Sequence, residues 1–292
     1  MASQSMKSVV PYEECSPLLA DTDGLRHAAA ARGYLYVRGL CSAGDILGLR
    51  REVLRVTARH GLLRKDKDIL GGYVCPGANL SENDYTPEFI SYYRDLLRIR
   101  NFHALPHRPA ILQLLSRLIG EPILIHPRQL YHTIFPGRED HTTAPHQDFY
   151  PVRGTPDTWT VWIPLGDCGP ELGGGLAFVP GSNRGQLRQV RQHGSEIEVD
   201  PDSDWAWAPV MCGDVLLFHG LTIHQGRDNQ TTDRMRIAVS FRIQAISEPV
   251  DEHSLKPHMR WIDWEGIYAD WEKDDPLRYY WKSFELKIEA HG

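Results

Sequence analysis

No stretch of the 292-residue chain approaches the ~18 uninterrupted apolar residues that a membrane-spanning helix needs, so no membrane partner is expected. The opening Met-Ala-Ser-Gln-Ser-Met-Lys lacks the apolar core of a secretory signal. Cysteine is scarce and odd in number: five residues, at 15, 41, 75, 168 and 212, with no close pair. That argues against a disulfide framework and points to the cytoplasm. Positive charge is not in excess either. A formal net charge of −6 leaves no basic face of the kind a nucleic-acid partner requires, and the short mixed run Arg64-Lys65-Asp66-Lys67 reads as a solvated turn. No internal repeat and no low-complexity segment is present. Gly174, Gly175, Gly181 and Gly185 lack the strand-to-helix context of a phosphate cradle and read as turn residues.

What is present is ordinary globular material, 41% hydrophobic and 24% charged, with enough length for one large domain. The expectation is a single domain over 1–292: mainly helical support in 1–120, a β core in 121–245, and an extension in 246–292. The pattern predicts helices from Asp23 to Arg32, capped by Asp21 or Asp23 and stopped at Gly33, and from Ser42 to about His60. Two more are predicted over 87–100 and 109–119, the second ending at Gly120. From Glu121 onward short strands dominate: 122–135, 143–150, 158–165, 174–179, 205–210, 214–219, 221–225 and 235–244. The fold class is therefore mainly β with a helical N-terminal third.

Three residues carry the chemistry. His146 and Asp148 stand in Ala-Pro-His-Gln-Asp-Phe-Tyr, and His224 follows 76 residues after Asp148. Two imidazoles and one carboxylate on one face of an octahedron leave three positions open, the usual cage for Fe(II) enzymes that activate oxygen. If residues 143–150 form a strand, His146 and Asp148 project to the same side and Gln147 points away. His219 is a rival for the distal position; His132 and His141 are near but lack a partner at the right place. Downstream, Arg236-Ile-Ala-Val-Ser-Phe-Arg-Ile alternates as a strand. It sets Arg236, Ala238, Ser240 and Arg242 on one face and Ile237, Val239, Phe241 and Ile243 on the other. A strand-borne arginine facing a polar interior suits a carboxylate ligand.

From about Gln129 to Arg242 the chain resembles the phytanoyl-CoA dioxygenase family of Fe(II)/2-oxoglutarate-dependent oxygenases. The matching pieces are Phe135-Pro136-Gly137, the His-Gln-Asp segment, Thr160-Val-Trp162-Ile-Pro-Leu, Gly174 through the Pro180-Gly181-Ser182-Asn183 turn, Gly213-Asp214 through His224, and the Asn229-x-Thr231…Arg tail. The resemblance implies a double-stranded β-helix, a jelly-roll or cupin-like core flanked by helices. It implies His146, Asp148 and His224 as the Fe(II) ligands, with His224 favoured over His219. It makes Arg236 the anchor for the co-substrate 2-oxoglutarate, with Arg234, of the same strand parity, as the alternative. Trp162 and Gln129 take family positions that face the co-substrate pocket. Phe149, Tyr150 and Trp159 are candidates for the substrate wall. The implied reaction hydroxylates a C–H of a small organic substrate at the expense of O2 and 2-oxoglutarate, releasing succinate and carbon dioxide. The alternatives are desaturation, epoxidation or ring rearrangement at the same centre, or a non-catalytic metal-binding barrel. A carboxylate at 148, where halogenating relatives carry a small residue, favours hydroxylation. The expected assembly is a monomer or homodimer. The Trp-rich tail (Trp261, Trp264, Trp271, Trp281) reads as a C-terminal helix anchored on the barrel, or alternatively as a lid or dimer contact.

Overall fold

The computed structural model describes residues 8–81, 84–137, 143–190 and 195–290; His141 lies outside them. The first 120 residues hold β1 (Ser8–Val10), α1 (Thr22–Arg32), β2 (Tyr34–Val37), α2 (Ala43–Arg59), α3 (Pro87–Leu97), α4 (Arg100–Ala104) and α5 (Pro109–Ile119). Then follow β3 (Ile123–Ile134), α6 (Phe149–Val152), β4 (Trp159–Pro164), β5 (Ala177–Phe178), β6 (Asp204–Ala206), β7 (Val215–His219), β8 (His224–Gln225) and β9 (Arg236–Ala245). The last segments are β10 (Val250–Asp251), α7 (Trp264–Ile267) and β11 (Ile288–Glu289). Local chemistry sets the helix ends. Asp21 accepts the Gly24 N–H at the start of α1, and Gly33 and Gly120 close α1 and α5 in the left-handed conformation that glycine adopts without strain.

Five antiparallel strands form the larger sheet in the order β2-β7-β4-β9-β3, and a smaller one runs β1-β6-β5-β8. Alternation on β9 decides what each face of the larger sheet meets. Ile237, Val239, Phe241 and Ile243 join Leu25, Val53, Leu96 and Leu115 of the helices in the main core. Tyr34 and Tyr36 of β2, Trp162 of β4, Leu216 and Phe218 of β7 and Ala238 of β9 pack instead with Phe178 and Ala206 of the smaller sheet. The sheets therefore face one another, and the helices cover the outer face of the larger one. Among the described residues no helix is long and apolar enough to cross a membrane.

Two expectations are corrected here. Residues 143–150 do not form a strand: His146 makes one isolated bridge to His224, and the chain then turns into α6 with Asp148 at its N-cap. The tail forms no long C-terminal helix. It contains the four residues of α7 and several single turns, and its rings pack on each other and on the body, with Trp261 edge-on to Phe89 and Tyr93 and Trp264 against Tyr268 and Trp281.

Candidate metal centre

The backbones of the two histidines hold each other. His146 N–H donates to the His224 carbonyl at 3.0 Å and His224 N–H to the His146 carbonyl at 3.1 Å, so the 143–150 segment is pinned beside β8. Gln147 reinforces the junction from the other side. Fully buried, it donates to the Leu221 carbonyl at 2.7 Å and accepts the Arg188 N–H at 2.8 Å. The helical turn at Asp148 then swings its carboxylate back towards the two rings. Oδ1 lies 3.5 Å from His146 Nε2 and 3.7 Å from His224 Nε2, and one ligand atom from each of the three residues falls within 4.8 Å of the others.

Each ring is oriented by its second nitrogen. His146 Nδ1 is 2.8 Å from the Ala144 carbonyl and His224 Nδ1 is 3.0 Å from the Thr222 carbonyl. A carbonyl only accepts, so Nδ1 carries the proton in both and each Nε2 presents a lone pair. Burial, then the neighbouring His146, pushes the His224 imidazole down to about 3, so it is neutral across the physiological range. Burial alone would raise Asp148, but the Arg242 guanidinium outweighs it and holds the carboxyl well below the usual range. Its other oxygen, Oδ2, accepts from Thr160 Oγ1 at 2.5 Å and from Arg242 at 3.0 Å. Oδ1 is left facing the histidines. Two imidazoles and one carboxylate with converging lone pairs fit a divalent first-row ion, and among the described residues no fourth ligand closes the set.

The three residues sit between two cavities. The inner one, about 510 Å³ counting the open space at its mouth, is walled by Trp162, Leu176, Phe218 and Ser240 and reaches Arg236. Arg236 is 5% exposed; it donates to the carbonyls of Arg227 at 2.9 Å and Leu172 at 3.3 Å, and its Nε is buried without a partner. Burial draws its pKa down from the ordinary guanidinium value. Arg234 points elsewhere, pairing with Glu171 at 3.0 Å on the surface. The outer cavity, about 820 Å³ with its open mouth, shares His132, His146, Asp148 and Arg242 with the inner one. It adds Arg128, Leu130, Pro151, Val152, Ser254, His258 and Met259.

Of the residues singled out in the sequence, His146, Asp148, His224, Trp162 and Arg236 converge on this place. Gln129 does not. Arg128, Leu130 and His132 of β3 face the cavities, whereas Gln129 lines neither and shares the opposite parity with Tyr131, which lies in the main core. His219 turns to Asp157 at 3.2 Å and to the edge of Trp159, in a separate surface groove. Phe149, Tyr150 and Trp159 line neither cavity; Pro151 and Val152, the next residues of α6, do. Thr160 and Arg242 were missed as supports of Asp148. The signal was in the alternation, which puts Thr160 beside Trp162 and Arg242 beside Arg236.

The sequence model of the phytanoyl-CoA dioxygenase family matches residues 30–238. A 1-deoxypentalenic acid 11-beta-hydroxylase of Streptomyces arenae is 28% identical over 267 residues, covering 84% of this chain and 89% of that protein. The enzyme of that name from Streptomyces exfoliatus is 26% identical over 278 residues, again covering 84% and 89%. Among solved structures, the epimerase SnoN, in complex with Fe3+, alpha ketoglutarate and a nogalamycin compound, superposes with a TM-score of 0.59 at 20% identity, over 79% of this chain and 86% of that one. EctD from S. alaskensis, with 2-oxoglutarate and 5-hydroxyectoine, gives 0.55 at 16% identity, over 85% and 84%. At these identities the structural likeness shows the fold.

Proposed function

The chain belongs to the phytanoyl-CoA dioxygenase family and is an Fe(II)- and 2-oxoglutarate-dependent oxygenase, and from that premise we propose how its residues divide the work. His146, Asp148 and His224 hold Fe(II). 2-Oxoglutarate occupies the inner cavity beside Trp162, with its distal carboxylate on the Arg236 fork. The observation that carries this reading is the placement of a buried, half-satisfied guanidinium in the lining of the same cavity as His146, Asp148 and His224.

Bound together, Fe(II) and 2-oxoglutarate would supply the oxidising power, one oxygen atom of O2 entering the succinate formed with loss of carbon dioxide and the other a substrate C–H. The protein's part is position and exclusion. The Nδ1–H···O=C bonds fix the two rings, and Thr160 with Arg242 keeps Oδ2 occupied so that the carboxylate presents one oxygen. Leu176 and Phe218 wall the inner cavity with apolar surface, which strengthens the Arg236 ion pair. The substrate enters the outer cavity, between α6 and the 254–259 segment. Hydroxylation is the favoured outcome, as the names of the curated relatives state for those enzymes. The two facing sheets support the reading of the core as a double-stranded β-helix in one domain, with 1–120 as its support and 246–292 as its extension.

The test is iron- and oxygen-dependent conversion of 2-oxoglutarate to succinate, run across a panel of small metabolites, with product mass read for gain of an oxygen atom. A product of unchanged mass or one lacking two hydrogens would replace hydroxylation by rearrangement or desaturation. No succinate with any iron-loaded preparation would leave a metal-binding barrel.

A further inference from the structure

The outer cavity is walled by more positive charge than the centre beneath it can use. Arg128 and Arg242 both line it, with His126 and His258 alongside. With iron and co-substrate in place, the metal dication and the 2-oxoglutarate dianion cancel in total charge, and Asp148, the partner of Arg242, offsets one of the three guanidiniums of Arg128, Arg236 and Arg242. Two positive charges remain. Among the described residues the further acid acting on Arg128 is Asp251, buried and engaged with the backbone N–H and ring of His253 at 2.7 and 3.0 Å. Even counting it, the described residues leave one cation over.

Both arginines have unused donors. Arg242 spends one nitrogen on Asp148, its side chain is 11% exposed, and its Nε is buried without a partner. Among the described residues Arg128 has no hydrogen-bond or ion-pair partner. Burial lowers the Arg128 pKa, and Arg242 and then Arg260 lower it further, so these cations repel across the space they share. Leu130, Pro151, Val152 and Met259 give the lining an apolar stretch, beside the hydroxyls of Thr143, Ser195 and Ser254. Met259 and Arg260 are both held at positive φ, 59° and 55°, a strained pair where the tail meets the cavity.

We propose that the substrate is an organic carboxylate whose headgroup is clamped between Arg128 and Arg242 while its apolar body lies along Val152 and Met259. This rests on the reading of the inner cavity as the 2-oxoglutarate site. A carboxylate suits the planar guanidinium fork and supplies the single negative charge that is missing. Because Arg242 also holds Oδ2 of Asp148, the clamp ties the substrate headgroup directly to a metal ligand.

Anaerobic protein loaded with Fe(II) and 2-oxoglutarate is titrated calorimetrically with adamantane-1-carboxylate and, separately, with the uncharged adamantane-1-carboxamide. The carboxylate is expected to bind about tenfold or more tightly than the amide, the margin of a charge-assisted pair. Arg128→Gln is expected to bring the two to parity, and Arg128→Lys to restore part of the difference. Equal affinity in the wild type, no measurable binding of either probe, or a preference that survives Arg128→Gln would overturn the proposal. A parallel titration with 2-oxoglutarate separates it from the reading beneath it. If Arg128→Gln weakens 2-oxoglutarate, Arg128 belongs to the co-substrate and the clamp is wrong. If 2-oxoglutarate does not bind while the carboxylate preference stands, the co-substrate reading fails and the clamp survives.

Discussion

Replacing Arg236 by alanine tests the co-substrate site most directly. Its guanidinium is almost fully buried and faces a cavity with apolar walls, so the co-substrate carboxylate it holds is desolvated. Removing one partner of such a pair leaves an uncompensated charge, a loss of about 3–5 kcal/mol. That is a drop in 2-oxoglutarate affinity of roughly two to three orders of magnitude or more. The substitution also frees the Leu172 and Arg227 carbonyls, for a further loss of about 1 kcal/mol of fold stability each. Binding is therefore measured well below the melting temperature, by anaerobic equilibrium dialysis of labelled 2-oxoglutarate against Fe(II)-loaded protein, with Fe(II) binding scored separately. Arg236→Lys should recover only part, since a point charge replaces a fork. Arg234→Ala is the control: its pair with Glu171 is 35% and 49% exposed and contributes about 0–1 kcal/mol to stability, none of it in the cavity. An affinity loss for Arg236→Ala of under tenfold, or an equal loss for Arg234→Ala, would refute the assignment.

Three further outcomes follow from contacts around the centre. Thr160→Val removes the hydroxyl that donates to Asp148 Oδ2, and should weaken Fe(II) binding about 10–100-fold, read by competition with a calibrated chelator; unchanged affinity would mean that Arg242 alone orients the carboxylate. Gly173 has φ +88°, and a Cβ there would lie 2.6 Å from both Arg236 Nη1 and the Arg227 carbonyl, so Gly173→Ala should raise the KM for 2-oxoglutarate while iron binding holds; an unaltered KM would show that Arg236 has room to retreat. His103, His107 and His126 are pushed down by burial to about 4, below the unfolded value near 6.5. Below that value the unfolded chain takes up protons and the folded one does not, so stability is full above pH ~6.5 and is lost as pH falls towards 4. At pH 5 each costs about 2 kcal/mol, and scanning calorimetry should show a fall of order 10 °C between pH 7 and pH 5; a flat profile would mean that these rings charge within the fold.

Several of these features were legible along the chain because they are periodic or local. Alternation on β9 assigns Arg236 and Arg242 to the face opposite Ile237, Val239, Phe241 and Ile243, since a strand has only two sides. The caps at Asp21, Gly33 and Gly120 involve neighbours within a few residues. Period alone could not separate Arg234 from Arg236, which share parity. The fold does so by letting Glu171 take the first outside the cavity and the Leu172 and Arg227 carbonyls take the second inside it. Nor could spacing show how His146 and Asp148 come together. Two residues apart suggests a strand, but one backbone bridge and a helical turn achieve the same convergence, because the partner that orients the segment, His224, lies on another strand. Gln129 was placed on the pocket by the family resemblance, whereas β3 carries two extra residues against β9 between Ile125 and Gln129, around Pro127, and beyond that bulge Gln129 shares the core-facing parity of Tyr131. The sequence by itself determined the ligand types, the helical and strand periods and the two faces of β9, which follow from residues close in the chain. Only the tertiary structure decided which oxygen of Asp148 is free and that Arg128, Arg242 and His258 share one cavity, because those relations join residues on different elements, whose approach no local period or cap encodes.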